Sequence, residues 1–214
     1  TLNADINTSV GAVNLESLAG VTEGIVNFNL SGSDGIATIG HNSAFTTQVN
    51  ITGNNSQTLI STSTFDGVEW FVDGAGSGSW RDANNSDTNT NALNLVFTGI
   101  ENITGGTNAD VFNITQTGSI AGIIDGGSGT NTLERSNSSG TNTWLIDGTD
   151  TGTSNGTRFN QIQTLTGSTV NDDFSFTSAG ANVSTINGGT GNNSLTARDA
   201  DNEWHITGDN SGVL

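Results

Sequence analysis

Cysteine, methionine, proline and tyrosine are all missing from this 214-residue chain, and its four arginines, Arg81, Arg135, Arg158 and Arg198, stand against 21 acidic residues. Each shortage closes off a class of protein. Without Cys there are neither disulfides nor thiolate metal sites to hold a small fold together. The net charge of −17 repels the phosphate backbone of nucleic acids and the surface of anionic lipid, so neither is an expected partner. No run of sequence approaches the roughly 18 consecutive apolar residues of a spanning helix, and insertion into a membrane is not expected. The amino-terminal residues Thr1 to Asp5 lack the basic and apolar regions of a signal peptide, as a mature or excised polypeptide would.

Apolar mass is also scarce, at 31% of residues with 6% aromatic. A bulky globular core cannot be built from so little. The architecture that tolerates it is thin, with each short strand supplying one or two inward residues and backbone pairing running the length of the molecule.

What the chain does have is internal repetition. Phe97-Thr98-Gly99-Ile100-Glu101-Asn102-Ile103-Thr104-Gly105 recurs 62 residues later as Phe159-Asn160-Gln161-Ile162-Gln163-Thr164-Leu165-Thr166-Gly167. The register then holds without a gap. Asp110 falls on Asp172, Phe112 on Phe174, Ile124 on Ile186, Gly126-Gly127 on Gly188-Gly189 and Leu133 on Leu195. After a two-residue deletion, Trp144-Leu145-Ile146-Asp147-Gly148 matches Trp204-His205-Ile206-Thr207-Gly208. A looser copy comes first, in which Phe28 takes the place of Phe112, Ile51 of Ile124, Leu59 of Leu133 and Trp70 of Trp144. The repeats therefore run from about 12 to 96, from 97 to 158 and from 159 to 214, the last incomplete, within one continuous rod spanning 1–214. Repeat 1 carries extra residues at about 74–91, rich in Gly, Ser, Asp and Asn, which read as a loop bulging from the surface and carry an exposed Trp80.

Within each repeat the local pattern is β. Asp110-Val111-Phe112-Asn113-Ile114 and Asp172-Asp173-Phe174-Ser175-Phe176 alternate polar with apolar residues, the period of a strand with one buried face. Gly, Asn, Asp and Thr punctuate every few residues and suit tight corners. From Gly105 to Gly126, and again from Gly167 to Gly188, the landmarks are 21 residues apart. That spacing predicts an all-β solenoid, a right-handed parallel β-helix with about three coils per 62-residue repeat. Its inward set is predicted from the matched apolar positions: Phe112, Ile114, Ile124, Leu133, Trp144, Ile146, Phe159, Ile162, Leu165, Phe174, Phe176, Ile186, Leu195, Trp204 and Ile206.

Two resemblances follow from these residues. The block Ile124-Asp125-Gly126-Gly127-Ser128-Gly129-Thr130-Asn131-Thr132-Leu133, with Gly188-Gly189-Thr190-Gly191-Asn192-Asn193-Ser194-Leu195, resembles the glycine-rich nonapeptide of calcium-binding RTX repeats. That likeness implies calcium held at the corners by Asp110, Asp125 or Asp172 together with backbone carbonyls. The chain departs from it where Asn131 and Asn193 stand in place of the family's aspartate, and it has no tandem nonapeptide array. The longer unit, FxxIExLTGGxxxDxFxF followed by IDGGxGxxxL and WxIxG, resembles repeats of large bacterial secreted and surface exoproteins, including filamentous-haemagglutinin-like adhesins of two-partner secretion. It covers nearly the whole chain and implies a secreted or cell-surface rod, an adhesin or a component of the extracellular or biofilm matrix.

No nucleophile elbow, phosphate loop or metal-binding His pair is found. His41 and His205 are isolated, and the repeated Asp110 and Asp172 recur because the fold recurs. An enzyme is not expected. The expected function is an extracellular structural or adhesive rod; a calcium-stabilised module of a secreted protein and a glycan-binding or glycan-cleaving β-helix are the alternatives. Repeat 3 stops short of the next Phe-x-x-Ile anchor. The expected partners are accordingly flanking repeats or further copies, end to end, and beyond them extracellular polysaccharide or a cell surface. No cofactor is required in this reading.

Overall fold

A computed structural model describes residues 2–6, 12–14, 25–30, 36–39, 48–61, 67–82, 95–203, 205–208 and 211–213. Among them every regular element is a β-strand. The chain begins with β1 (Leu2–Ile6), β2 (Ala12–Asn14), β3 (Ile25–Leu30), β4 (Ile36–Ile39) and β5 (Gln48–Ser61). A hairpin of β6 (Val68–Gly74) and β7 (Ser77–Asp82) leads to the long β8 (Leu95–Thr104). Next come β9 (Val111–Thr115), β10 (Ile123–Asp125), β11 (Thr132–Ser136), β12 (Thr141–Gly148), β13 (Thr151–Ser154) and β14 (Thr157–Asn160). After these lie β15 (Thr164–Thr166), β16 (Asn171–Phe176), β17 (Thr185–Asn187), β18 (Ser194–Thr196), β19 (His205–Gly208) and β20 (Ser211–Val213). The first 18 strands make one open, mixed sheet, whereas β19 and β20 pair only with each other among the described residues.

The pairings resolve into two ladders. The first runs β1, β3, the first half of β5, the first half of β8, β7, β6, β9, β11, β15, β17. The second runs β2, β4, the second half of β5, the second half of β8, β10, β14, β13, β12, β16, β18. Both β5 and β8 cross from one ladder to the other, with breaks in their register between Thr52 and Gln57. Gly99 makes the bend in β8 possible. Its φ is +66° and an added Cβ would lie 2.4 Å from the Gly53 carbonyl oxygen, so no side chain fits.

The chain visits the ladders in strict alternation, and all pairings between passes are parallel. Two passes double back as antiparallel meanders of three strands, β6-β7-β8 on the first ladder and β12-β13-β14 on the second. Turn residues explain them. Asp150 sits at φ +55°, and the two-residue link Asn155-Gly156 has φ values of +45° and +83°, the backbone of a type I′ hairpin. In both meanders the third strand sets a phenylalanine against an isoleucine of the preceding strand: Phe97 against Ile51, Phe159 against Ile124.

These meanders refine the expectation of about three coils per 62-residue repeat. The 21-residue spacing is one full return to the same ladder, as in Phe112 to Leu133 and Leu165 to Ile186. Repeat 2 makes five passes, the meander being one of them. Five is odd, so repeats 2 and 3 start on opposite ladders, and each ladder receives one meander. Homologous strands such as β9 and β16 consequently lie on different ladders.

Burial alternates along the strands, as in the pattern from Thr141 to Gly148 where Asn142, Trp144 and Ile146 are buried and their neighbours exposed. Of the predicted inward residues, Phe112, Ile114, Ile124, Leu133, Trp144, Ile146, Phe159, Ile162, Leu165 and Phe174 are buried. Phe176 and Ile186 are half-buried against the core. Leu195 is a correction, since it is 43% exposed. Its strand β18 pairs on one side only among the described residues, so nothing covers it as β15 covers Leu133. Trp204 and the side chain of Ile206 lie outside the described residues. The supposed loop also needs correcting: Ser77–Asp82 is a paired strand, and Trp80 is buried, edge-on to Trp70 at 6.5 Å.

Candidate functional site

Chemistry concentrates at the corners that the glycines shape. Gly127 and Gly189, 62 residues apart, have φ values of +72° and +70° and lie under carbonyls of the preceding corner, so a Cβ would clash. Where the chain turns between ladders, its N–H groups fall outside strand pairing and need other acceptors. Side chains of a neighbouring coil supply them. The Asp110 carboxylate accepts from the N–H of Val68 and of Gly106, both at 2.7 Å. The Asp110 N–H donates to Asn131 Oδ1 at 2.9 Å, and the Asn131 N–H donates in turn to Gln163 Oε1 at 2.8 Å. In the next repeat the Asp172 N–H donates to Asn193 Oδ1 at 3.0 Å.

Asn131 shows why asparagine stands where the nonapeptide resemblance calls for aspartate. While its oxygen accepts from Asp110, its Nδ2 donates to the carbonyls of Ser128 and Gln161, at 3.3 and 3.0 Å. A carboxylate has no hydrogen to donate and would face both carbonyls unprotected. The amide is therefore a structural clamp between coils.

Asp172 organises the largest polar cluster. It is fully buried, and its Oδ1 accepts from Asn142 Nδ2 at 2.7 Å and from Trp144 Nε1 at 3.0 Å. Oδ2 accepts from the Ser168 N–H at 3.0 Å. Asn142 Oδ1 receives Nδ2 of Asn137 and of Asn155, at 2.6 and 2.9 Å. Trp144 lies flat on Phe174, ring centroids 5.3 Å apart. The earlier repeat keeps the stack, Trp70 on Phe112 at 6.3 Å, but not the bond. Val68 replaces Asn142, Asp110 turns to the Val68 N–H, and Trp70 Nε1 has no partner among the described residues. Trp144→Phe should therefore cost about 1 kcal/mol more than Trp70→Phe in urea denaturation, the worth of one buried hydrogen bond; equal losses would contradict this assignment.

Arg135 is the second buried ion. It occupies an inward position of β11, two residues after Leu133, and reaches across to the other ladder, where Nε donates to Ser154 Oγ at 2.9 Å and Nη2 donates to the Ser154 carbonyl. Burial lowers its guanidinium to about 10, and the charge of Asp172 opposes that shift. The other inner carboxylate, Asp110, is pushed above its ordinary 3.8 by burial, against the pull of its two backbone donors. An acid whose folded pKa is raised binds its proton more tightly when folded. Its stabilising share is full below 3.8 and is lost as pH rises through the raised value. Denaturant titrations at a series of pH values should accordingly show the wild type losing stability relative to Asp110→Asn between pH 3.5 and neutrality. A pH-independent difference would refute the shift.

The three carboxylates proposed for calcium are not brought together. Both oxygens of Asp110 and of Asp172 accept N–H donors, and Asp125 accepts from the Gly127 N–H at 2.9 Å and from Asn160 Nδ2 at 3.1 Å. Among the described residues no three His, Asp or Glu side chains converge as a metal site would require. His205 is exposed beside Glu203 at 3.3 Å, and His41 lies outside the described residues. Arg81 pairs with Glu69 at 2.5 Å and lies over the ring of Phe71, while Arg158 pairs with Asp147 at 2.6 Å. Each arginine thereby braces the outer face of one meander. The sequence offered a signal for Arg135, the shared parity with Leu133, and one for Asn131 and Asn193, their 62-residue spacing; it offered none for Ser154.

No protein family, no curated protein and no solved structure matches the chain.

Proposed function

We propose that this chain is a stretch of an extracellular structural or adhesive rod, a right-handed β-solenoid whose two ladders are the two walls. The observation that carries the reading is the strict alternation of passes, with one meander to each wall, which keeps both ladders at ten strands when β5 and β8 are counted in each. Parallel strands linked by such crossings are almost always right-handed. Nine spacings of about 4.8 Å make each wall roughly 43 Å long. Arg135, which bridges from one ladder to Ser154 on the other, supports walls that stand face to face.

Buried polar groups in this reading hold coils together, and no step of catalysis is asked of them. The corner carboxylates take N–H donors, so the rod does not call on calcium either. The surface is acidic and carries few cations, which keeps neighbouring rods apart and suits a secreted or cell-surface setting in contact with polysaccharide. Small-angle X-ray scattering tests the reading. Tandem duplication of residues 97–158 adds on average three and a half strands per wall, about 17 Å, at constant cross-section. A duplicated chain that thickens instead of lengthening would overturn it.

A further inference from the structure

Both three-stranded meanders of this fold are fastened to an earlier strand of the same ladder by their third strand, whereas the homologous hairpin β19-β20 shows two strands among the described residues. In the first, Phe97 of β8 lies against Ile51; in the second, Phe159 of β14 lies against Ile124. The homologous acceptor in the third repeat is Ile186 of β17, which is half-buried and, among the described residues, pairs on one side only, with β15. The hairpin β19-β20, homologous to β12-β13, has no pairing to the main sheet among the described residues.

The groups that grip the third strand in repeat 2 are present again in repeat 3. There the Gly126 N–H donates to the Asn160 carbonyl at 2.8 Å, Asn131 Nδ2 donates to the Gln161 carbonyl, and the Asn131 N–H donates to Gln163. Their counterparts, the N–H of Gly188 and both donors of Asn193, have no acceptor among the described residues. The approach is open as well. A Cβ at Gly126 would lie 2.2 Å from the Gln161 carbonyl oxygen, whereas one at Gly188 would meet only the side chain of Asn193.

We infer that the outer edge of β17, with Gly188 and Asn193, is a strand-acceptor site, and that its occupant is an extended segment of the β14 type presented by a repeat unit of this same kind. Main-chain bonds along β17 give the affinity and a phenylalanine over Ile186 gives the register, as in other sheet-edge recognition. Asn193 Nδ2 then donates to the carbonyl two residues past that phenylalanine, as Asn131 Nδ2 does to that of Gln161. This deepens the rod reading and rests on it, because it names what joins one repeat to the next.

The test uses the full 214-residue chain and a fluorescent peptide of residues 155–166 of its own sequence, which spans β14 and the Gln161 to Gln163 corner. Fluorescence anisotropy should show saturable binding. Phe159→Asp in the peptide, or Gly188→Ala in the chain, should weaken it at least tenfold. Gly188 does not have a positive φ, and an added Cβ would displace only the Asn193 side chain, 2.7 Å from its Nδ2; an unchanged melting temperature checks that the fold is kept. Absence of binding by the native peptide, or binding indifferent to Gly188→Ala, would overturn the assignment. Equally tight binding of a peptide with the same residues in scrambled order would overturn the named occupant. Scattering from the duplicated chain decides the rod reading separately, whatever the peptide does.

Discussion

Replacing Asp172 with alanine is expected to lower the unfolding free energy by about 3 to 5 kcal/mol, the range seen when one member of a buried charged group is removed. The substitution leaves three donors, Asn142 Nδ2, Trp144 Nε1 and the Ser168 N–H, facing a void instead of an acceptor. Each buried group left unpaired forfeits its solvation in full. It also withdraws the negative charge that supports the buried Arg135 guanidinium. A second substitution separates these two losses. Arg135→Met in the Asp172→Ala background removes the unsupported cation and should return about 1 to 2 kcal/mol, a coupling typical of groups in one network. Urea titrations of the two single variants and the double variant measure it. If Asp172→Ala costs under 1 kcal/mol, the cluster is solvated and the burial assigned to it is wrong.

The strands were legible because their information is local. Alternation from Asp110 to Ile114 declares a strand with one buried face, and the 62-residue recurrence carries that face from Phe112 to Phe174, both buried. The 21-residue landmark spacing likewise reappears as the return to the same ladder, seen in Phe112 against Leu133. Legibility failed where pairing depends on direction. Nothing in the residues around Trp144 distinguishes a strand that continues the winding from one that turns back, except Asp150 and the Asn155-Gly156 pair, whose positive φ values make two reversals. As plain corner formers, those residues leave a meander strand indistinguishable from a further coil. The same confusion made a loop of Ser77–Asp82, where glycine and serine alternate with Trp80 and Gly78 must be small because the Phe71 carbonyl oxygen would lie 1.9 Å from its Cβ.

At the candidate site, the corners named from the sequence carry the buried polar groups, but the partners of those groups were not legible. Asp110, Asp125 and Asp172 looked like ligands because carboxylates beside glycines suit calcium. Their donors are N–H groups 28 to 42 residues away or at the adjoining turn, and no local pattern discloses a contact over that distance. Asn131 and Asn193 held the clue, since an amide donates where a carboxylate cannot. Arg135 was visible by parity alone, but its acceptor, Ser154, belongs to a meander strand whose place on the opposite ladder only the fold defines.

Phe174→Ala is the other change expected to be severe, at about 3 to 5 kcal/mol. The ring is 1% exposed, stacked on Trp144 at 5.3 Å, and its residue is paired to Trp144 on one side and Leu195 on the other. Removing it deletes the transfer energy of a large apolar group and leaves a cavity bounded by strands whose backbone bonds resist collapse. One position along the same ladder, Leu195→Ala should cost well under half as much, because a side chain 43% exposed has surrendered only part of its contact with water. The pair of substitutions thus measures where the core stops. Phe174 and Leu195 come from adjacent strands at inward positions of the same register, and only the strand beyond β18 differs between them. Equal destabilisation by the two, measured by urea titration of the 214-residue chain, would mean that Leu195 is covered in solution, and the exposed margin at β17 and β18 would then not exist.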